Sequence, residues 1–272
     1  MSPPQLGEIL DLLETGECPW ESQPALMKIL EGDDSKMKLR ALEFTSDLID
    51  KDAFALRHLD IVEDGSERTK VRARAAIALG PTIELCGYGF WDDPYDPPPL
   101  SRECFRQIQR RFERLYRSAD VPKLVRRRAL EASVRAPQEW HRGAIRAAWN
   151  GEDPEWRRTA VYAMGEVGGF ESALSDALDA DDKRIVCQAL RAAANQDGVP
   201  GARKKILHFA RTPQAPRGCR IAAIEALRFV SSPDAFSLLD RLTHDRDDEV
   251  AGTAAWALDE WTIYNGDRSS EF

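Results

Sequence analysis

Histidine and cysteine, the side chains that most often bind metals or act as nucleophiles, are present in this chain but are not grouped. The histidines have no metal-ligand spacing, and the cysteines are odd in number and form no paired motif. They are His58, His141, His208 and His244, and Cys18, Cys86, Cys104, Cys187 and Cys219. The sequence also has no glycine-rich phosphate loop and no nucleophile elbow. It therefore predicts no catalytic residue, no metal and no cofactor, and favours a protein that is not an enzyme.

The insert segment, residues 87–99, offers a different chemistry, that of partner binding. It is rich in proline and glycine, which forbid a regular helix. Large aromatic side chains dominate the binding energy of protein interfaces, so Phe90, Trp91 and Tyr95 are candidate anchors for a partner. The alternative is that these rings fold back over the edge of the molecule.

The aspartates of the insert segment raise the question of a cation site. They are Asp92, Asp93 and Asp96. Hard cations such as Ca²⁺ prefer carboxylate oxygens, but the segment lacks the glycine and the distal glutamate of a calcium loop. The pattern therefore does not predict a metal site here.

Arginine is concentrated in the middle of the chain, in a basic band at residues 102–158. The band carries 15 basic and 8 acidic side chains, whereas residues 1–101 carry 10 and 20, and residues 159–272 carry 13 and 18. A cluster within it, Arg126 to Arg128 together with an outer stripe of arginines at residues 106–117, could bind phosphate or an acidic partner. The stripe consists of Arg106, Arg110, Arg114 and Arg117. The net charge of the whole chain is −8, which argues against a dedicated nucleic-acid binder without excluding one.

The elements that must position these residues are short amphipathic helices, repeated along the chain. Residues 71–80 read Val-Arg-Ala-Arg-Ala-Ala-Ile-Ala-Leu-Gly, and with Val71 as position zero the same frame recurs six more times. The copies begin at Met37, Val71, Val125, Trp156, Ile185, Cys219 and Val250. Position four is alanine in every copy, and positions zero, four, seven and eight lie on one face of a helix. A face with so small a centre lets another helix approach closely.

The spacing of the copies predicts a stack of helical hairpins. Successive starts are separated by 34, 54, 31, 29, 34 and 31 residues, and each interval has room for a second helix. Four copies carry an aspartate three residues before position zero, where it can cap the helix: Asp34, Asp153, Asp182 and Asp247. We therefore expect an all-α, right-handed α-solenoid of about seven hairpins, in one continuous domain over residues 1–272 with a frayed polar tail at 265–272.

Residues 153–165, Asp-Pro-Glu-Trp-Arg-Arg-Thr-Ala-Val-Tyr-Ala-Met-Gly, resemble the second helix of a HEAT repeat. The variety is the short bacterial one, similar to the HEAT-like repeats of phycobilisome bilin lyases, and the resemblance covers roughly residues 22–264. It implies an armadillo-like protein, in a family that includes scaffolds, adaptors, lyase subunits and a few DNA glycosylases. It also implies that a basic residue just after position zero joins a structural ladder with the preceding aspartate. Lys38, Arg72, Arg126, Arg157 and Arg220 fit that pattern, and Val186 and Ala251 do not.

In HEAT stacks the second helix of each hairpin lines the concave surface, so the outward positions of those helices become candidate contacts. In this frame they are positions two, six and nine. The residues there mix charges with two aromatic rings, as protein-binding surfaces do: Arg127, Glu131, Arg158, Tyr162, Arg191, Glu225, Arg228 and Trp256. The alternative is a solvated face held by internal salt bridges.

These features predict a cytoplasmic, non-catalytic scaffold or adaptor that binds a protein partner through the concave helix face and the insert segment. The chain has no apolar run long enough for a membrane span, and its first residues lack the pattern of a signal peptide. An enzyme accessory or lyase-like subunit is one alternative. A nucleic-acid binder that uses the basic band is the other, and its binding would weaken steeply with salt.

Overall fold

The computed structural model describes residues 3–17, 22–93, 95, 97–196 and 198–265. These residues form α-helices joined by turns, with short 3₁₀ segments at Ser46–Leu48 and Leu227–Phe229, and no β-strand occurs within these ranges. The predicted all-α solenoid of helical hairpins is confirmed. Cys18, Asp96 and the predicted tail beyond residue 265 lie outside the described residues.

The chain divides into two compact units, residues 1–141 and residues 142–272, and the boundary falls inside helix α9, Glu139–Asn150. The first unit contains α1 Pro3–Glu14, α2 Ser22–Glu31, α3 Ser35–Ala41, α4 Asp52–Glu63, α5 Thr69–Ala78, α6 Gly80–Gly87, α7 Arg102–Arg117 and α8 Lys123–Ser133. The second contains α10 Pro154–Val167, α11 Glu171–Leu178, α12 Lys183–Ala194, α13 Ala202–Arg211, α14 Arg217–Ala226, α15 Pro233–Leu242 and α16 Asp248–Asn265. The periodicity runs through both units without marking this boundary, and the single continuous domain stays a prediction.

The alanine at position four is the centre of each helix contact, as the repeat predicts. It is fully buried in all seven copies: Ala41, Ala75, Ala129, Ala160, Ala189, Ala223 and Ala254. The approach is close between α10 and α12, where a Cβ added to Gly165 would lie 2.9 Å from the Cβ of Ala192 and 3.0 Å from its Cα. Small residues on the inner face therefore set the spacing of neighbouring hairpins.

The predicted aspartate caps are confirmed in both units. The Asp34 carboxylate accepts hydrogen bonds from the backbone N–H groups of Lys36 and Met37 at 2.8 and 3.2 Å. Asp153, Asp182 and Asp247 accept from the first backbone N–H groups of α10, α12 and α16 in the same way. Each carboxylate thus satisfies donors that the first helical turn leaves without partners.

The basic residues just after position zero have the structural role that the resemblance implies, but mostly with other partners. Three of them donate from Nε to the carbonyl oxygen ten residues earlier, at the end of the preceding helix: Arg72 to Val62 (2.9 Å), Arg126 to Tyr116 (2.9 Å) and Arg220 to Ala210 (3.4 Å). Lys38 bonds the carboxylate of Glu67 at 2.7 Å, and Arg157 stacks over the ring of Trp149. In the copies of Lys38 and Arg157 the preceding aspartate is engaged as a helix cap. The copies of Arg72, Arg126 and Arg220 have no aspartate three residues before position zero.

Candidate partner-binding surfaces

In the second unit, helices α10, α12, α14 and α16 pack side by side in chain order. Their outward positions line up across the four helices in a row that we call the ridge. It consists of Arg158, Tyr162, Arg191, Glu225, Arg228 and Trp256. Every one of these side chains is half-buried or exposed, so the ridge is open to contact from outside the unit.

The charges of the ridge are tied to one another and to neighbouring helices. Arg191 of α12 forms a short ion pair with Glu225 of α14. Glu155 of α10 lies 3.4 Å from Arg158 and 3.2 Å from Arg184 of α12. These side chains are a third exposed or more in several cases, so each pair contributes little to stability. What the pairs do is hold the charged groups of the ridge in fixed places.

The aromatic end of the ridge is a stack of one guanidinium and two rings. The guanidinium carbon of Arg228 lies 4.6 Å from the ring centroid of Trp256 and 4.4 Å from that of Phe229. Trp256 keeps 44 % of its surface exposed, although it is the largest apolar side chain of the ridge. A large ring held in place yet open to solvent can bury much area against a partner with little loss of side-chain entropy.

Two residues predicted for this surface, Arg127 and Glu131, are not on it. They lie on α8 of the first unit, where Arg127 is only 3 % exposed and Glu131 only 6 %. The Arg127 guanidinium lies 3.8 Å from the Glu131 carboxylate, which also forms a short bond with Arg128. Because these charges neutralise one another, they can be buried, and the helical frame alone does not reveal it.

Of the three candidate rings in the insert segment, two are exposed and one packs against the first unit. Phe90 and Tyr95 are exposed, and Tyr95 keeps 95 % of its surface in solvent. Trp91 instead packs on Phe105 of α7 with 5.6 Å between ring centroids, and the Arg102 guanidinium lies 5.6 Å from the Trp91 ring. One ring therefore folds back onto the first unit, and two remain open to a partner.

Two further exposed apolar residues extend this patch, and sequence reasoning missed them. Leu85 and Tyr88, at the end of α6, are both more than half exposed. The only sequence signal was their three-residue spacing, which places them on one helix face, next to the insert segment. With Phe90 and Tyr95 they make four exposed apolar or aromatic side chains between residues 85 and 95 of the first unit, a set that we call the apolar patch.

The two described aspartates of the insert segment, Asp92 and Asp93, have separate partners. Asp93 accepts a bond from the backbone N–H of Tyr95 at 2.8 Å, and Asp92 lies 4.0 Å from Arg102. Asp96 lies outside the described residues. Across the described ranges, no three histidine, cysteine, aspartate or glutamate side chains come together as metal ligands.

On α7, several arginines of the basic band are paired with nearby carboxylates. Arg111 and Arg114 both bind the carboxylate of Glu63, and Arg111 also reaches Asp60. Burial works against ionisation of Glu63, but the bonds from these two arginines lower its pKa. The pairs Arg110–Glu103 and Arg117–Glu113 lie on the same helix. An anionic ligand would therefore have to compete with carboxylates already in place.

Two histidines are buried structural groups. His58 lies with its Nδ1 2.8 Å from the carbonyl oxygen of Phe54, and burial lowers its pKa to about 4. His141 accepts a bond at Nδ1 from the backbone N–H of Gln138, its Nε2 lies 3.0 Å from Ser133 Oγ, and burial again lowers the pKa to about 4. Both side chains are closed off from solvent, so neither can meet a substrate in this conformation.

Comparison with known proteins finds a family match for part of the second unit. Residues 171–259 match the HEAT-repeats family. This segment of the second unit is therefore similar to HEAT repeats. No curated protein matches the sequence. Among the described residues, no helix is both long and apolar enough to cross a membrane.

Solved structures show only distant similarity. Human deoxyhypusine hydroxylase, in complex with glycerol, is 16 % identical over 96 % of this chain and 92 % of its own, with a TM-score of 0.41. Kap121p is 11 % identical over 98 % of this chain, with a TM-score of 0.42, and the match spans only 32 % of Kap121p. Similarity at this level assigns neither an activity nor a partner to this chain.

Proposed function

We propose that this protein is a non-catalytic scaffold or adaptor that binds a protein partner through the ridge of the second unit. The observation that carries the proposal is Trp256, a large ring left open to solvent and fixed in a stack with Arg228. Tryptophan, arginine and tyrosine are the residues that most often dominate binding energy at protein interfaces. The ridge supplies all three types.

The ridge also suits one kind of partner chemistry. Trp256 offers an apolar face, and Arg228 beside it offers a cation, so the site fits a partner residue that is apolar and lies next to a carboxylate. The fixed Arg191–Glu225 pair adds a polar rim on the neighbouring helices. Because the helices hold these groups in place, little ordering is required when the partner binds.

The apolar patch at residues 85–95 is a second contact surface in the proposal. Phe90 and Tyr95 expose large rings, and large exposed aromatic side chains are frequent anchors at protein interfaces. The proposal also includes two expectations. The protein is cytoplasmic, and its repeats are related to those of bilin lyases. Among the alternatives, a nucleic-acid binder finds less support because the arginines of α7 are paired with carboxylates. An enzyme accessory is the other alternative.

The test is affinity capture of the full chain from its source organism, followed by titration of the purified partner. We expect a stoichiometric protein partner whose affinity falls by about 30-fold in Trp256→Ala, the loss of about 2 kcal/mol typical of an interface hot spot. Leu12→Ala, an exposed apolar residue on α1, is the control and should leave affinity unchanged. Equal affinity for wild type, Trp256→Ala and a Phe90→Ala, Tyr95→Ala double variant would contradict the proposal. Capture of nucleic acid that high salt removes would favour the basic band instead.

A further inference from the structure

Two cysteines from neighbouring hairpins meet in the second unit. Cys187 of α12 and Cys219 of α14 are free thiols whose Sγ atoms lie 2.6 Å apart, although 32 residues separate them in the chain. A disulfide bond is about 2.05 Å long, so the two sulfurs need to move by only about half an ångström. The helix backbones already hold both side chains in facing positions, between helices that pack directly.

The local sequence leaves room for the two sulfurs to meet. The residue before Cys219 is Gly218, and a Cβ added there would lie 3.7 Å from the Cys187 sulfur. This is an ordinary van der Waals distance, so Gly218 lies directly beside the Cys187 sulfur. The Cys219 thiol also lies 3.4 Å from the carbonyl oxygen of Lys183, at the start of α12, which orients it toward that helix.

The two thiols differ in access to solvent. Cys187 stands at position two of α12, on the same side as the ridge, and is partly exposed. Cys219 stands at position zero of α14, on the inner face, and is fully buried. A small reagent can therefore reach Cys187 directly but reaches Cys219 only through Cys187. This is the arrangement of an attacking thiol with a resolving thiol behind it.

We propose that Cys187 and Cys219 form a reversible thiol–disulfide site that ties α12 to α14 by exchange with low-molecular-weight disulfides. Cys187 loses its proton and its sulfur attacks one sulfur of the small disulfide, whose S–S bond breaks to release one small thiolate. Cys219 then loses its proton and attacks the Cys187 sulfur, releasing the second small thiolate. The two departing thiolates take up the two protons. The protein thiols are oxidised to one disulfide, and the small disulfide is reduced to two thiols.

Burial controls how fast this site reacts. Loss of solvent around Cys187, together with the neighbouring Cys219 sulfur, raises the pKa of the Cys187 thiol, and the charge of Arg191 opposes that shift only in part. The thiolate is the attacking species, so oxidation is slow near neutral pH and accelerates as the pH rises. The site therefore responds to sustained oxidation rather than to brief exposure.

A second pair of cysteines in the first unit is a natural internal control. Cys86 and Cys104 are both buried, and burial raises their pKa values to about 11 and about 12. Neither offers an accessible sulfur to a small disulfide. Both should therefore stay reduced under conditions that oxidise Cys187 and Cys219.

A disulfide between Cys187 and Cys219 would change the geometry of the ridge and so affect partner binding. This consequence rests on the proposed function. Cys187 lies one helical turn before Arg191, whose ion pair with Glu225 spans the same two helices. A covalent bond beneath that pair would fix the spacing of α12 and α14. We expect partner affinity to change by about fivefold or more between the reduced and the bridged protein.

The test is treatment of the folded, full-length protein with oxidised glutathione, followed by alkylation, digestion without reductant and mass mapping of every cysteine. Wild type is expected to give one linked peptide pair, Cys187 with Cys219, and a rise in melting temperature of about 5 to 10 °C from closure of the loop between them. Cys86 and Cys104 are expected to be recovered alkylated. Dithiothreitol should reverse the link.

Single variants separate the two roles. Cys219→Ala should stop at a mixed disulfide between glutathione and Cys187, whereas Cys187→Ala should leave Cys219 unmodified. Circular dichroism checks that each variant folds, and if one does not, the wild-type mass map decides alone. Wild type that accumulates the mixed disulfide without a link, links other cysteines, or leaves Cys187 and Cys219 both alkylated would overturn the site.

Partner titration is a separate readout. A link that forms without changing the affinity of a captured partner would overturn the effect on the ridge and leave the proposed function intact. A link that forms in a protein that captures no partner would contradict the proposed function and leave the thiol site intact.

Discussion

The same helical frame has different outcomes in the two units of this protein. In the second unit, Glu225 at position six of α14 is partly exposed and pairs with Arg191 on the ridge. In the first unit, Glu131 at position six of α8 is buried together with Arg127. Helix α8 packs against α5 and α7, and also against α6. Helix α6 is an extra helix in the 54-residue interval between the copies that begin at Val71 and Val125. The frame therefore tells which side chains share a face, but not whether another element covers that face.

The largest expected difference follows from these two glutamates. Glu131→Ala removes a buried carboxylate that lies 3.8 Å from the buried Arg127 guanidinium and also binds Arg128, and we expect the free energy of unfolding to fall by about 3 to 5 kcal/mol. Glu225→Ala, the matched change on the ridge, should cost at most about 1 kcal/mol because its partner stays solvated. Chemical denaturation of both variants measures the comparison. Equal losses in the two would mean that burial of the first pair does not matter to stability.

Acid should destabilise the first unit before the second. His58 and His141 both lie in the first unit, and burial lowers each pKa to about 4, below the usual value of about 6.5 in an unfolded chain. The unfolded state therefore binds more protons between these values, so their contribution to stability is complete above about pH 6.5 and is lost as pH falls toward 4. The loss is about 3 kcal/mol for each histidine.

Hydrogen exchange at pH 7 and pH 4.5, read peptide by peptide, checks this expectation. Protection should fall first in α4, which contains His58, and in the first turn of α9, which contains His141. His58→Phe should flatten the dependence on pH if the variant folds. A loss of protection that begins in α12 or α14 would contradict the assignment.

Close packing of α10 on α12 predicts a smaller effect within the second unit. Gly165→Ala places a methyl group 2.9 Å from Ala192 Cβ, so the helices must shift, and we expect a loss of about 1 to 3 kcal/mol. Gly252→Ala on α16 is the control, because a Cβ there meets nothing within 4 Å. That change should stabilise by up to about 1 kcal/mol through helix propensity. Thermal melts of both variants give the sign of each effect.

The helix caps predict the smallest effect and no difference between the units. Asp34→Ala in the first unit and Asp182→Ala in the second each remove a carboxylate that accepts from the first backbone N–H groups of a helix. Each should cost about 1 kcal/mol. Asp181→Ala, one residue before the cap, should cost less. Denaturant titration would count against the repeat frame if only one of the two cap variants were destabilised.

The sequence was sufficient for the features that repeat. The alanine at position four and the aspartate three residues before position zero recur at fixed places, and both behave as the pattern predicts. Features that occur only once in the chain could not be predicted in this way. Burial of Arg127 depends on elements distant in the chain, and the exposure of Leu85 depends on where α6 ends. The meeting of Cys187 and Cys219 required the register of two helices, which no spacing rule for cysteines contains.

The most direct test of the central claim is a hydrogen-exchange footprint of the full chain with its captured partner. The account predicts slower exchange on binding in the peptides of α10, α12 and α16 that carry Tyr162, Arg191 and Trp256. It predicts no slowing in the peptide of α8 that carries Arg127 and Glu131, since those side chains are already buried. Protection confined to the arginine face of α7, with the ridge peptides unchanged, would contradict it.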